Sequence, residues 1–165
     1  MDRKVVLFFL LALFGGTALI AQQRFPSVQV YSLDGKAVDI GHYARNDRPT
    51  VISLWATWCS PCKKELNAIA EMYEDWQEDY GVELLAISID DQRALAKVAP
   101  MAQNNEWPYT ILLDTDGALM QALGVQAIPY TILIDQQGNI AYSHSGYAPG
   151  DELELEDQIK LIARN

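Results

Sequence analysis

The run from Val51 to Gly81 constrains the fold of this chain more than any other. Val51-Ile52-Ser53-Leu54-Trp55-Ala56 reads as a buried strand, and it leads through Thr57-Trp58 straight into Cys59-Ser60-Pro61-Cys62. From there apolar residues recur at Cys62, Leu66, Ile69, Tyr73, Trp76 and Tyr80, in steps of four and three. That rhythm places them on one face of a helix. Gly81 suits the left-handed position that ends a helix, and Pro61 falls in the first turn, where its missing N–H is not needed. The spacing predicts a helix over 60–80 that follows closely on a strand, with both cysteines at the junction.

Those are the only two cysteines in the chain. A structural zinc site needs four ligands, and the two histidines, His42 and His144, are far apart and lack paired spacing. A purely structural disulfide across so short a loop removes little chain entropy. Thiol–disulfide exchange fits better, because the helix makes the two sulfurs unequal. Cys62 heads the apolar stripe and should face the sheet. Cys59 lies at the cap or first residue, where its sulfur should be more exposed. The free N–H groups and partial positive charge of a helix N-terminus favour a thiolate there and lower its pKa below that of free cysteine. In this reading Cys59 attacks and Cys62 resolves the mixed disulfide.

Elsewhere short apolar runs alternate with helical patterns, as in an α/β sheet protein. Val28–Tyr31 and Lys36–Ile40 flank the hairpin signal Leu33-Asp34-Gly35. Val82–Ile89 predicts a second buried strand, and Asp90-Asp91 predicts the cap of a helix from Gln92 to Gln103. Strands are expected at Tyr109–Leu113, Tyr130–Ile134 and near Ile140–Ser143, with helices at Ala118–Leu123 and Asp151–Ala163. Pro108-Tyr109-Thr110-Ile111-Leu112-Leu113-Asp114 nearly repeats as Pro129-Tyr130-Thr131-Ile132-Leu133-Ile134-Asp135, with six of seven residues shared. Two buried strands, each entered through proline and left by a turn, account for the echo better than a duplication.

Val5 to Ala21 carries no charge and follows Asp2-Arg3-Lys4. This reads as a signal peptide over residues 1–21, or an uncleaved membrane anchor, ahead of one domain over 22–165. Export would place the cysteines where disulfides are permitted. The formal net charge of -10 argues against a nucleic-acid or anionic-membrane partner.

The stretch Thr57 to Glu65, with CSPC followed by Lys63-Lys64-Glu65, resembles the thioredoxin superfamily, and within it the exported bacterial branch called TlpA/ResA-like. Leu54–Trp58, Ile87–Asp90, Trp107–Asp114 and Gly124–Thr131 resemble the family's other landmarks, so the likeness spans roughly residues 25–163. It implies an α/β thioredoxin fold: a mixed central sheet of about five strands, about four flanking helices, an N-terminal β-hairpin and a central insertion. It implies a cis bond before Pro129, beside the cysteines, with the backbone at Ile128 pairing with bound substrate. Trp58, Ser60, Pro61, Ile128 and Pro129 would then form the docking surface. Glu65 would exchange a proton with Cys62, the alternative being a surface glutamate paired with a lysine.

Two positions depart from the pattern. Thioredoxins proper often carry a buried aspartate where Ser53 stands, and often a helix-kinking proline where Asn67 stands. The resemblance implies a protein disulfide reductase that needs no cofactor beyond Cys59 and Cys62 and no metal. It would act as a monomer on cysteine-containing extracytoplasmic proteins, apocytochrome c among them in some members, with electrons from a membrane thiol–disulfide carrier. Two alternatives remain: a disulfide oxidant or isomerase, and a copper-binding metallochaperone with His144 as third ligand, although His144 is expected on the surface away from the active-site loop. A peroxidase is disfavoured because the peroxidatic Thr-x-x-x-Cys is missing.

Overall fold

Alternation along β3, Thr50–Trp55, sets the two faces of the molecule, and all six of its residues are buried. Val51 and Trp55 point to one side with Leu84, Ala86 and Leu133, while Ile52 and Leu54 point to the other with Leu85, Ile87 and Ile132. A strand buried on both faces requires a layer on each side of its sheet. In this computed structural model, which describes residues 23–163, that is the arrangement found. The expected leader over residues 1–21 lies outside the described residues.

The elements run β1 (Gln29–Ser32), β2 (Ala37–Asp39), α1 (Ile40–Tyr43), β3, α2 (Ser60–Tyr80) and β4 (Glu83–Ser88). They continue with α3 (Val98–Asn104), β5 (Thr110–Leu113), α4 (Ala118–Leu123), β6 (Tyr130–Ile134), β7 (Ile140–Ser145) and α5 (Asp151–Ala163). Seven strands form one mixed sheet in the order β2-β1-β5-β4-β3-β6-β7. β4 is parallel to both β3 and β5, whereas β6 runs antiparallel to β3. The hairpin expected near the N-terminus is β1–β2, and it extends the expected five strands by pairing with β5.

Helix α2 begins and ends where the stripe and Gly81 predict, with Gly81 left-handed at φ 64. Leu66, Ile69 and Trp76 are fully buried against the sheet together with Leu155 and Ile159 of α5. Each such aliphatic side chain contributes about 1.5–3 kcal/mol relative to exposure. The helix carrying the cysteines is therefore held firmly along its length. The opposite face is covered by Ile40 of α1 and Leu119 of α4.

One expected element differs. Residues 92–103 do not form a single helix. The Asp91 carboxylate accepts the N–H groups of Arg93 and Ala94, a 3₁₀ turn follows at Leu95–Lys97, and α3 begins at Val98. Pro100 explains the late start, since it lacks an N–H and is accommodated only in a first turn. The two echoed strands also diverge: β5 runs parallel to its neighbour β4, and β6 antiparallel to β3. Each is followed by an aspartate whose carboxylate accepts backbone N–H groups, Asp114 from Leu119 and Met120 at the start of α4, Asp135 from Gln137 and Asn139 in a turn. In both copies the aspartate ends the strand by satisfying the N–H groups that follow it.

Candidate active site

Cys59 is the N-cap of α2. Its extended backbone leaves the strand, and its sulfur accepts the N–H of Cys62 at 3.2 Å. The two cysteines are joined as a disulfide with their Cα atoms 5.4 Å apart. An acceptor at this position satisfies one of the helix's free N–H groups, and a thiolate there would gain most from it. Burial differs from expectation. Cys62 is fully buried, but Cys59 is only 4% exposed, within the same core cluster as Trp55 and Ala56. The group left in solvent is Trp58, at 68% exposure, with Ser60 and Pro61 exposed beside it.

The loop is fastened from β4. Asp90, 1% exposed, accepts the Thr57 N–H at 2.8 Å, the Thr57 hydroxyl at 2.7 Å and the Ser88 hydroxyl at 2.8 Å. Lys63 adds a bond from its ammonium to the Thr57 carbonyl. Replacing Asp90 with alanine leaves three buried donors without that partner, at about 1–3 kcal/mol each. The expected result is a loss of at least 3 kcal/mol in urea unfolding, with faster alkylation of Cys59 in the reduced protein. An unchanged midpoint would show that the loop is held by other contacts.

The Ile128–Pro129 bond is cis, and it is the only cis bond among the described residues. Tyr130 pairs with Leu54, so the register sets Pro129 level with Trp55, at the end of β3 that feeds the cysteines. Pro129 is buried, and Ile128 is partly buried against both cores.

Glu65 is not a surface residue. It lies one turn past Cys62 on the same face of α2 and is 1% exposed. Its carboxylate accepts the Thr131 hydroxyl at 2.6 Å and the Ser53 hydroxyl at 3.3 Å. The third neighbour is His144, whose Nε2 stands 3.2 Å from Oε1, within ion-pair reach but outside hydrogen-bond alignment. His144 is therefore not the isolated surface histidine expected from its place in the sequence. The Glu65 carboxylate holds its pKa above the ordinary imidazole range, against the opposing effect of burial, and Asp151 and Glu154 add to the rise. Among the described residues, no group of three or more histidine, cysteine or carboxylate side chains is placed to hold a metal ion.

Sequence reasoning missed this cluster because its parts come from four elements. Ser53 pairs with Thr131, and Thr131 pairs with His144, so one cross-strand row on β3, β6 and β7 faces the helix. Asn67, which stands where thioredoxins proper often carry a proline, accepts the indole N–H of Trp107 at 2.7 Å. Trp107 in turn packs edge-on against Trp55, with ring centroids 4.9 Å apart.

The AhpC/TSA family model matches residues 21–143. The chain belongs to the AhpC/TSA family. Among its relatives, the thiol-disulfide oxidoreductase ResA of Bacillus thuringiensis subsp. konkukian is 26% identical over 129 residues, 78% of this chain and 72% of ResA. The sporulation thiol-disulfide oxidoreductase A of Bacillus subtilis is 26% identical over 155 residues, 91% of each chain. Among solved structures, a thioredoxin-like protein from Porphyromonas gingivalis is 39% identical with a TM-score of 0.75, covering 85% of this chain and 92% of its own. StoA from Bacillus subtilis, 23% identical with a TM-score of 0.65 over 81% of this chain and 96% of its own, shares the fold. This AhpC/TSA member has the thioredoxin fold and is a thiol–disulfide oxidoreductase, with cysteine-containing proteins as its substrate class.

Proposed function

We propose that the protein works outside the cytoplasm as a reductant of disulfides in other exported proteins. Cys59 and Cys62 carry the exchange without a further cofactor, and a membrane thiol–disulfide carrier restores the dithiol. The charge-free segment from Val5 to Ala21 supports export, and the relatives named ResA support the reaction class. Apocytochrome c is the substrate that the family resemblance supplies.

The observation that carries the direction is the buried Glu65 carboxylate one turn from Cys62. In a helix, side chains three residues apart stand about 5–6 Å from one another at Cβ. A negative charge at that range disfavours a second one on Cys62 and so weakens the thiolate form of the reduced pair. Oxidants of this chemistry work the opposite way, by stabilising the reduced form. Each round then balances. Cys59 thiolate attacks the substrate disulfide and expels one substrate thiolate. Cys62 gives its proton to Glu65 and attacks the Cys59 sulfur, expelling the second thiolate. The enzyme ends as a disulfide and the substrate as a dithiol.

Equilibration of the Cys59–Cys62 pair against glutathione is the decisive measurement. A potential well below the poise of the glutathione pool is expected. A potential well above it would replace the reductant with an oxidant or isomerase. Trp58, Ser60, Pro61, Ile128 and Pro129 serve as the docking surface in this reading. The exposed indole gives an apolar contact and the segment before Pro129 an edge for an extended peptide.

A further inference from the structure

His144 reaches Glu65 from the edge strand of the sheet. Tyr109 and Tyr147 also feel the carboxylate, and the exchange chemistry so far does not use the histidine. It comes from β7, two strands away from the cysteine-bearing β3–α2 junction, and its place is set by pairing with Thr131. Both of its ring nitrogens are buried, and neither makes an aligned hydrogen bond; Nδ1 has no partner at all. The ring is surrounded by negative or neutral groups: Glu65 from α2, Asp151 and Glu154 from α5, and Tyr142 beside it on β7. The Glu65 carboxylate 3.2 Å from Nε2, with Asp151 and Glu154 beyond it, favours the charged ring against the opposing effect of burial.

The carboxylate it faces has an equal need. Glu65 is almost wholly buried, and its other two partners, Ser53 and Thr131, are neutral hydroxyls. A buried charge persists only when it is paired and hydrogen-bonded; otherwise the group takes up a proton and becomes neutral. Two hydroxyls satisfy lone pairs without compensating the charge.

We propose that His144 is a positioning residue of the thiol–disulfide centre, a buried cation that keeps Glu65 in its charged form and aimed along α2 to receive the proton of Cys62. The inference rests on Glu65 as the proton carrier. His144 touches neither sulfur nor substrate; it acts through the carboxylate. Its loss should therefore change the pH at which resolution works rather than the capacity of Cys59 to attack.

The test mixes reduced protein with an aromatic disulfide that releases one coloured thiolate on attack by Cys59 and a second on resolution by Cys62. His144→Gln should leave the first phase unchanged and slow the second about tenfold on its acid limb, part of what general acid–base catalysis contributes, with less effect at high pH. His144→Lys should return it toward the wild-type profile. A His144→Gln profile that overlays wild type, or that falls equally at every pH, overturns the proposal. If that variant does not fold, the ring resonances decide. His144 should titrate above the ordinary imidazole range in the intact protein and fall in Glu65→Gln; a His144 titration unmoved by Glu65→Gln overturns the proposal. If Glu65→Gln itself leaves the second phase unchanged, the proton-carrier reading fails. If only His144→Gln does, that reading stands and the role of His144 falls.

Discussion

Cys59→Ala is expected to reduce turnover to the uncatalysed background, whereas Cys62→Ser is expected to stop the reaction halfway with the substrate attached. The two losses differ because the helix gives the sulfurs different positions. Cys59 caps α2, and its sulfur already accepts the Cys62 N–H, so a thiolate formed there has a donor waiting. Cys62 is fully buried within the core that α2 shares with the sheet. It can reach the Cys59 sulfur but not a protein substrate. Without Cys59 the remaining sulfur is the fully buried one. Without Cys62 the attack proceeds, a mixed disulfide forms through Cys59, and nothing displaces the substrate. Mass spectrometry of the Cys62→Ser protein mixed with a disulfide substrate should show a one-to-one adduct mapped to Cys59. Residual turnover in Cys59→Ala would mean that Cys62 becomes accessible and that the roles are not fixed by burial.

The positions of both cysteines were legible in the sequence because the start of one helix sets them, Cys59 as its cap and Cys62 in its first turn. The apolar stripe, the proline in the first turn and Gly81 are local signals, and local signals define α2 to the residue. The strands were legible for a similar reason, since β3, β4 and β6 are short runs bounded by turn residues. Pro100 held the information about the late start of α3, but Asp90-Asp91 gave a stronger apparent cap. Asp90 instead turns inward to Thr57, a use visible only once β4 is set beside β3. The same limit hid the surroundings of Glu65. Ser53, Thr131 and His144 converge through strand register, and register between β3, β6 and β7 is not encoded within any one segment. Ser53 shows the cost of reading position by position. It stands where thioredoxins proper often carry an acid, and the carboxylate of this protein arrives from α2 to bond with that serine. An acid is present at the site, on a different element. Cys59 is less exposed than a helix N-terminus alone suggests, because it also belongs to the core cluster with Trp55 and Ala56, a contact not encoded in the helix pattern.

Glu65→Gln should slow resolution about a hundredfold at neutral pH, within the range of general acid–base catalysis, and leave attack by Cys59 almost untouched. The substitution preserves shape: an amide oxygen can still accept from Thr131 and Ser53, so the fold should survive. What disappears is the capacity to take a proton. Cys62 must then lose its proton to solvent from a fully buried position, and the rate of the second step should climb about tenfold per pH unit where wild type has levelled off, because the proton acceptor is now hydroxide or water rather than a fixed carboxylate. The reverse direction has to suffer as well. When an electron donor opens the Cys59–Cys62 disulfide, Cys62 leaves as a sulfur needing a proton, and the group that accepts it in one direction supplies it in the other. Slowed oxidation and slowed reduction together, with normal alkylation of Cys59, would identify Glu65 as the proton carrier. Slowing in one direction alone would point instead to a changed docking surface, since a shared proton step has no preferred direction.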